Sequence, residues 1–206
     1  MNEICPSFIT HYHLADRPPF LTLSDLENGS DSPIFHELRN RHKYNAGYQR
    51  RYGINYIDTR RKIENDLLRL FIERGGKPIR KYPFYFVLGS SIWFKYLVKD
   101  HLEVRIQIRD LDPATTSFTF PDSYVALSNN KKPYHGKVFL LHELENFIEE
   151  YGIPDNDASF NYERYWEGDF EKYIEVQIWE DNIVKPFIDR YYKEIASDRI
   201  RLSHPY

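Results

Sequence analysis

Tyr82-Pro83-Phe84-Tyr85-Phe86-Val87-Leu88-Gly89-Ser90-Ser91 and, far downstream, Phe170-Glu171-Lys172-Tyr173-Ile174-Glu175-Val176-Gln177-Ile178-Trp179 decide the fold. Each reads as a buried strand, short and rich in aromatic and β-branched residues. Each also carries polar residues for which a core strand has no packing use. Ser90 and Ser91 close the first stretch, and Glu175 sits inside the second. A carboxylate among Tyr, Ile, Val and Trp is costly to bury unless it is paired or employed. Gln177 shares a strand face with Glu175, because strand side chains repeat every second residue.

Outward from these strands, Phe8 to His13 reads as another strand, ending before Pro18-Pro19. Leu23 to Leu26 reads as a brief helix, and Pro33 opens one that runs to about Lys43. Tyr56 to Arg74 is the strongest helix. Ile57, Arg60, Ile63, Leu67, Leu70 and Phe71 keep helical spacing, and Gly75-Gly76 ends it. Tyr44, Tyr48, Tyr52 and Tyr56 recur every four residues, but Gly47 and Gly53 argue against a continuous helix there. Ser91 to Val98 is expected as a short helix, and Glu103 to Ile108 as an alternating strand. Ser117 to Ala126 is expected as a strand and turn around Pro121-Asp122. Val138 to Tyr151 reads as an amphipathic helix, and Val184 to Ala196 as a last one. Helices first and strands in the middle predict an α+β fold, not a doubly wound one. No glycine-rich phosphate loop of either standard type occurs.

At 206 residues, 41% hydrophobic and 29% charged, the chain holds enough apolar side chain for a core and too much for disorder. With no composition break or internal repeat, residues 1–206 are expected to form one domain. A single cysteine, Cys5, rules out an intrachain disulfide and a cysteine-rich zinc site. No apolar run reaches the roughly 18 residues of a membrane span, and no signal peptide is visible, so the expected location is the cytoplasm. The formal net charge of −3 argues against gripping nucleic acid by bulk charge. Charge is nevertheless polarised. Eight Lys or Arg residues lie from Arg39 to Lys62 against one acid, Asp58, while Glu143 to Asp181 is strongly acidic.

Four stations carry polar residues suited to chemistry. His11 and His13 alternate onto one strand face, where an imidazole can donate to a ribose hydroxyl or serve the fold alone. No third ligand is close in sequence, and no metal is expected. Arg60 and Arg61 stand near a helix start, placed either to clamp a diphosphate or to lie on a solvated face. Tyr85, within Phe84-Tyr85-Phe86, offers a ring to stack on a flat cationic ring, with Ser90 nearby. Glu175 is the fourth, with a core arginine as its alternative partner.

In this order the stations resemble the ADP-ribosyltransferase superfamily, and within it the DarT-like enzymes that ADP-ribosylate DNA bases. Tyr12-His13 resembles the family's first-strand Tyr-His. Asp58-Thr59-Arg60-Arg61 resembles its helical arginine motif. Lys81-Tyr82-Pro83-Phe84-Tyr85-Phe86 with Ser90 resembles its Val-Pro-Phe-Tyr-Phe strand and following serine. Phe118-Thr119-Phe120-Pro121-Asp122 resembles its Phe-x-Asp turn, and Lys172-Tyr173-Ile174-Glu175-Val176 the strand presenting its glutamate. Ala15 takes a place the family gives to threonine, so His11 rivals His13 for the nucleotide role.

The resemblance implies a split β-sheet core with flanking helices, and NAD as co-substrate. It implies transfer of ADP-ribose to a DNA or RNA base by a toxin or phage-defence effector, with a neutralising antitoxin protein as a partner. Glu175, Arg61 and His13 would be catalytic. His11, His13, Arg60, Arg61, Tyr85 and Ser90 would bind NAD, with Tyr85 stacked on nicotinamide. The acceptor is expected against the basic, tyrosine-rich run, at Tyr44, Tyr48, Arg50 and Arg51. Two other classes remain open. One is a metal-dependent nuclease with Asp122 and the Glu175-Val176-Gln177 strand as ligands. The other is a noncatalytic module binding through its tyrosines, in which Glu175 would be paired with an arginine.

Overall fold

The computed structural model describes residues 5–154 and 171–203, with side chains described to residue 197. The acidic residues Asp155, Asp157, Glu163, Glu167 and Asp169, and the first residue of the Phe170 to Trp179 stretch, lie outside it. Strand β1 (Phe8–Leu14) leads through a 3-10 turn at Leu23–Asp25 into helix α1 (Pro33–Asn40), which has Pro33 in its first turn. After the irregular tyrosine-rich run comes α2 (Tyr56–Glu73), then β2 (Phe84–Leu88), α3 (Ile92–Leu97) and β3 (His101–Gln107). The second half holds β4 (Thr116–Thr119), α4 (Ser123–Ser128), β5 (Phe139–Leu140), α5 (Leu144–Tyr151), β6 (Glu175–Ile178) and α6 (Lys185–Ser203).

The fold is α+β. Six strands pair in the order β3-β1-β2-β6-β4-β5, every neighbouring pair antiparallel, with helices flanking the sheet. The two stretches that open the sequence reading are adjacent central strands, in register at Phe84↔Ile178 and Val87↔Glu175. Phe84, Phe86, Phe118, Val176 and Ile178 point to one face, where α5 packs Phe147 and Ile148. The other face carries Val87, Glu175, Gln177 and Trp179. There α2 lays Leu67 and Phe71 on Trp179, whose ring stacks 5.7 Å from that of Phe71.

The split expected of the sheet is absent from its order of pairing, which is unbroken, and survives only as a local fork. β1 and β2 pair at Ile9↔Leu88 and Thr10↔Val87, and pairing then stops although both strands run on. In its place the His11 Nδ1 nitrogen reaches the Tyr85 carbonyl at 2.8 Å. By alternation His11 and His13 share the face of Ile9, whereas Glu175 lies on the opposite face with Thr10 and Val87.

Two expected elements differ. The helix expected from Val138 begins only at Leu144, because Phe139 and Leu140 pair with Phe118 and Ser117 as an edge strand. Stacking of Phe139 on Phe118 (5.2 Å) and its contact with Phe147 (4.8 Å) explain why that apolar run is extended. The turn around Pro121-Asp122 follows a cis Phe120-Pro121 bond and becomes a helix start. Asp122 caps α4 by accepting from the Val125 N–H at 3.0 Å. Among the described residues no helix is long and apolar enough to cross a membrane.

Candidate active site

A cavity of about 1470 Å³ passes through the fork and is lined from both faces of the sheet, by His11, His13 and Phe20 on one side and Arg60, Tyr85 and Glu175 on the other. Glu175 is only 5% exposed. Its Oε1 accepts from the Ser123 N–H at 3.0 Å and from the Gln177 amide at 3.2 Å, and the Arg60 Nη2 stands 3.8 Å away. Its Oε2 has no hydrogen-bond partner among the described residues.

Below Glu175 runs a buried polar chain. The Trp179 indole donates to Ser117 Oγ at 2.9 Å, Ser117 donates to Gln177 Oε1 at 2.9 Å, and the Gln177 amide donates to Thr119 and Glu175. Strand alternation places these side chains in line, since Ser117 faces Gln177 and Thr119 faces Glu175 across β4 and β6. Such a chain holds the carboxylate in one orientation.

Arg60 and Arg61 have separate fates, one helix position apart. Arg61 turns away from the cavity and donates to the Ser24 and Leu26 carbonyls, with Nη2–Leu26 O at 2.7 Å. It is a clamp for the loop after β1, which corrects its expected place in the nucleotide site. Arg60 faces the cavity. Its Nε lies 3.3 Å from Glu64 Oε1 on the next turn, and its guanidinium covers the Tyr85 ring at 4.0 Å. The ring face expected to stack on nicotinamide is thus taken by Arg60, while the Tyr85 hydroxyl donates to Glu64 at 2.7 Å.

Both ring nitrogens of His11 are engaged, Nδ1 on the Tyr85 carbonyl and Nε2 on the Phe20 N–H at 3.0 Å. Burial lowers its pKa to about 4, so the ring is neutral and holds the fork together. Phe20, at φ 63, stacks on it at 4.4 Å, a left-handed backbone state stabilised by that contact. His13 uses only Nδ1, on the Leu14 and Arg17 carbonyls, and its Nε2 has no partner among the described residues. Of the rival histidines, His13 is the one with a nitrogen left to offer.

The remaining expected residues divide. Tyr48, Arg50 and Arg51 line the cavity; Tyr44 and Ser90 do not. Tyr44 instead donates to Glu37 at 2.7 Å on an exposed surface. Arg50 lies over the Tyr52 ring at 5.0 Å, and Arg51 donates to the Gln49 carbonyl at 3.0 Å. Asp122 also lines the cavity, and burial followed by the Glu175 charge pushes its carboxyl up to about 6. Among the described residues no group of three His, Cys, Asp or Glu is placed to hold a metal.

No protein-family model matches the chain, and no curated protein or solved structure matches it.

The site also contains residues that the sequence reading missed. Glu64 is fully buried, and burial raises its carboxyl above the ordinary value while Arg60 works against the rise. Its signal was present: Ile57, Arg60, Glu64, Leu67 and Phe71 form one stripe at 3-4-3-4 spacing, so both charges face inward. Ser123, Tyr173 and Ser24 carried no comparable signal, because what places them is tertiary.

Proposed function

We propose that this cleft binds NAD and transfers its ADP-ribose to a nucleic-acid base. The observation that carries the reading is Glu175, a buried strand-borne carboxylate with one oxygen that meets no donor among the described residues and a guanidinium beside it, at the wall of a large cavity. In the proposed step the bond between the ribose C1′ and the nicotinamide nitrogen breaks. Its electron pair leaves with neutral nicotinamide, and positive charge develops on the sugar. The Glu175 carboxylate stabilises that charge. A base nitrogen then bonds to C1′, and its proton passes to Glu175.

The volume exceeds the roughly 300–1,000 Å³ of a pocket for one drug-sized ligand, leaving room for a dinucleotide and an acceptor together. The charges at its wall favour an anionic acceptor. Arg17 pairs with Glu37 and Arg60 with Glu64, whereas Arg50, Arg51 and Lys131 meet no carboxylate among the described residues.

Labelled NAD, incubated with separate pools of single-stranded DNA, RNA and protein, tests this. Wild type should label a nucleic-acid pool. Glu175→Gln, which keeps the side chain's shape, should fold normally and lose about a hundredfold or more in rate. Label on protein alone would overturn the nucleic-acid acceptor, and no label together with no NAD-induced rise in melting temperature would overturn the transferase.

One observation favours a second reading. The 3.8 Å contact of Arg60 with Glu175 is the pairing expected of a noncatalytic module. NAD binding without any release of nicotinamide would select it. The nuclease reading fits less well, because the Gln177 amide is already bound to Ser117, Thr119 and Glu175.

A further inference from the structure

Two buried oxygens in the cavity wall find no hydrogen-bond partner among the described residues. Glu64 on α2 is 0% exposed, and Ser24 on the 3-10 turn after β1 is 2% exposed. Glu64 Oε1 is used by Tyr85 and Arg60, but among the described residues Oε2 finds no hydrogen-bond partner, nor does Ser24 Oγ. The serine hydroxyl interacts with the Glu64 carboxylate closely enough to ease its pKa downward, although among the described residues neither Ser24 Oγ nor Glu64 Oε2 closes a hydrogen bond by distance and angle. Both line the cavity.

Nor is Ser24 loosely held. Arg61 grips its carbonyl from α2, and Arg80 pairs with the neighbouring Asp25. A buried acceptor left open on a rigid frame requires an explanation, because leaving such groups unpaired is costly. A carboxylate oxygen beside a serine hydroxyl offers one strong acceptor and one group able to donate or accept. Two adjacent hydroxyls on a ligand match that pair, one donating to the carboxylate and the other exchanging a hydrogen bond with the serine.

We propose that Ser24 and Glu64 form a subsite for the vicinal diol of a ribose. The inference rests on the NAD reading, which supplies such diols, and assigns one of them a place beside Arg60, which bonds the other oxygen of Glu64. Ser24→Ala is the sharpest probe, since that hydroxyl closes no hydrogen bond among the described residues.

The experiment is titration calorimetry of wild type, Ser24→Ala and Glu64→Gln with ADP-ribose, and with two analogues, each lacking the hydroxyls of one ribose. Ser24→Ala should melt like wild type and bind ADP-ribose about tenfold more weakly. One analogue should bind wild type and Ser24→Ala alike, showing that the lost hydroxyls and Ser24 interact. Full affinity in both variants would overturn the subsite while leaving the NAD reading standing. A lower unliganded melting temperature in Ser24→Ala with unchanged affinity would also overturn it, marking the pair as the seat of an internal water. Failure of wild type to bind either NAD or ADP-ribose would overturn the subsite and the NAD reading together.

Discussion

Arg60 and Arg61 show how much a single position decides. On a helix, neighbouring residues point about 100° apart, so one arginine looks into the cavity and the other at the loop that walls it. Arg61 supplies three hydrogen bonds to two carbonyls of that loop. Arg61→Gln should therefore act on stability, lowering it by about 2 kcal/mol or more as those carbonyls lose a charged donor. Urea unfolding would measure the loss; full stability with abolished NAD binding would instead put Arg61 in the site. The sequence did set apart a basic pair near a helix start, and Glu175 as out of place in a core strand. The stripe of Ile57, Arg60, Leu67 and Phe71 also pointed to Arg60 as the inward one, but what Arg61 grips was not legible, because it follows from where the Leu23–Asp25 turn docks, a contact between residues 37 positions apart. His11 and His13 were indistinguishable until the fork gave His11 two backbone partners.

Among elements, helix α2 and strands β1, β2, β3 and β6 were legible, because apolar periodicity and alternation are local signals. Segments whose conformation is set by distant partners were not. Phe139 and Leu140 are helical by pattern and extended in fact, since Phe118 and Phe147 offer them an aromatic slot. The end of α2 illustrates an element fixed by one close approach. Gly75 has φ 93 and Gly76 donates to the Phe71 carbonyl at 2.9 Å, so that a methyl group on Gly76 would overlap the buried Phe71 ring. Gly76→Ala should cost about 1–3 kcal/mol through that overlap. Thermal unfolding would read it, and a neutral result would mean that the Phe71–Trp179 stack can shift.

At the scale of the molecule, folding and the site share one set of charges, and pH exposes the connection. Asp122 is raised to about 6 from an ordinary 3.8, so the folded chain holds that proton more tightly than the unfolded one. Its contribution to stability is complete below about pH 4 and is lost as pH rises through 6. Asp122→Asn keeps the helix cap and removes the titration. Compared with wild type, the variant should gain in relative stability between pH 4 and pH 7, with a ceiling of about 3 kcal/mol. Urea melts of both proteins at the two pH values check it. His11 titrates in the opposite sense, its contribution being present above its ordinary 6.5 and lost as pH falls through about 4. It is common to both proteins and cancels. An equal gap at both pH values would show that neither burial nor the Glu175 charge raises the Asp122 carboxyl.

The line of donors beneath Glu175 gives the molecule a built-in optical handle. Trp179, fully buried, closes the far end of a relay whose near end is the carboxylate, with Ser117 and Gln177 as its middle links. An event that neutralises or displaces that charge takes a partner from an amide that is linked, through one hydroxyl, to the hydrogen bond of an indole. The emission of one tryptophan therefore carries news of the cleft outward through the sheet, without a dye and without a label.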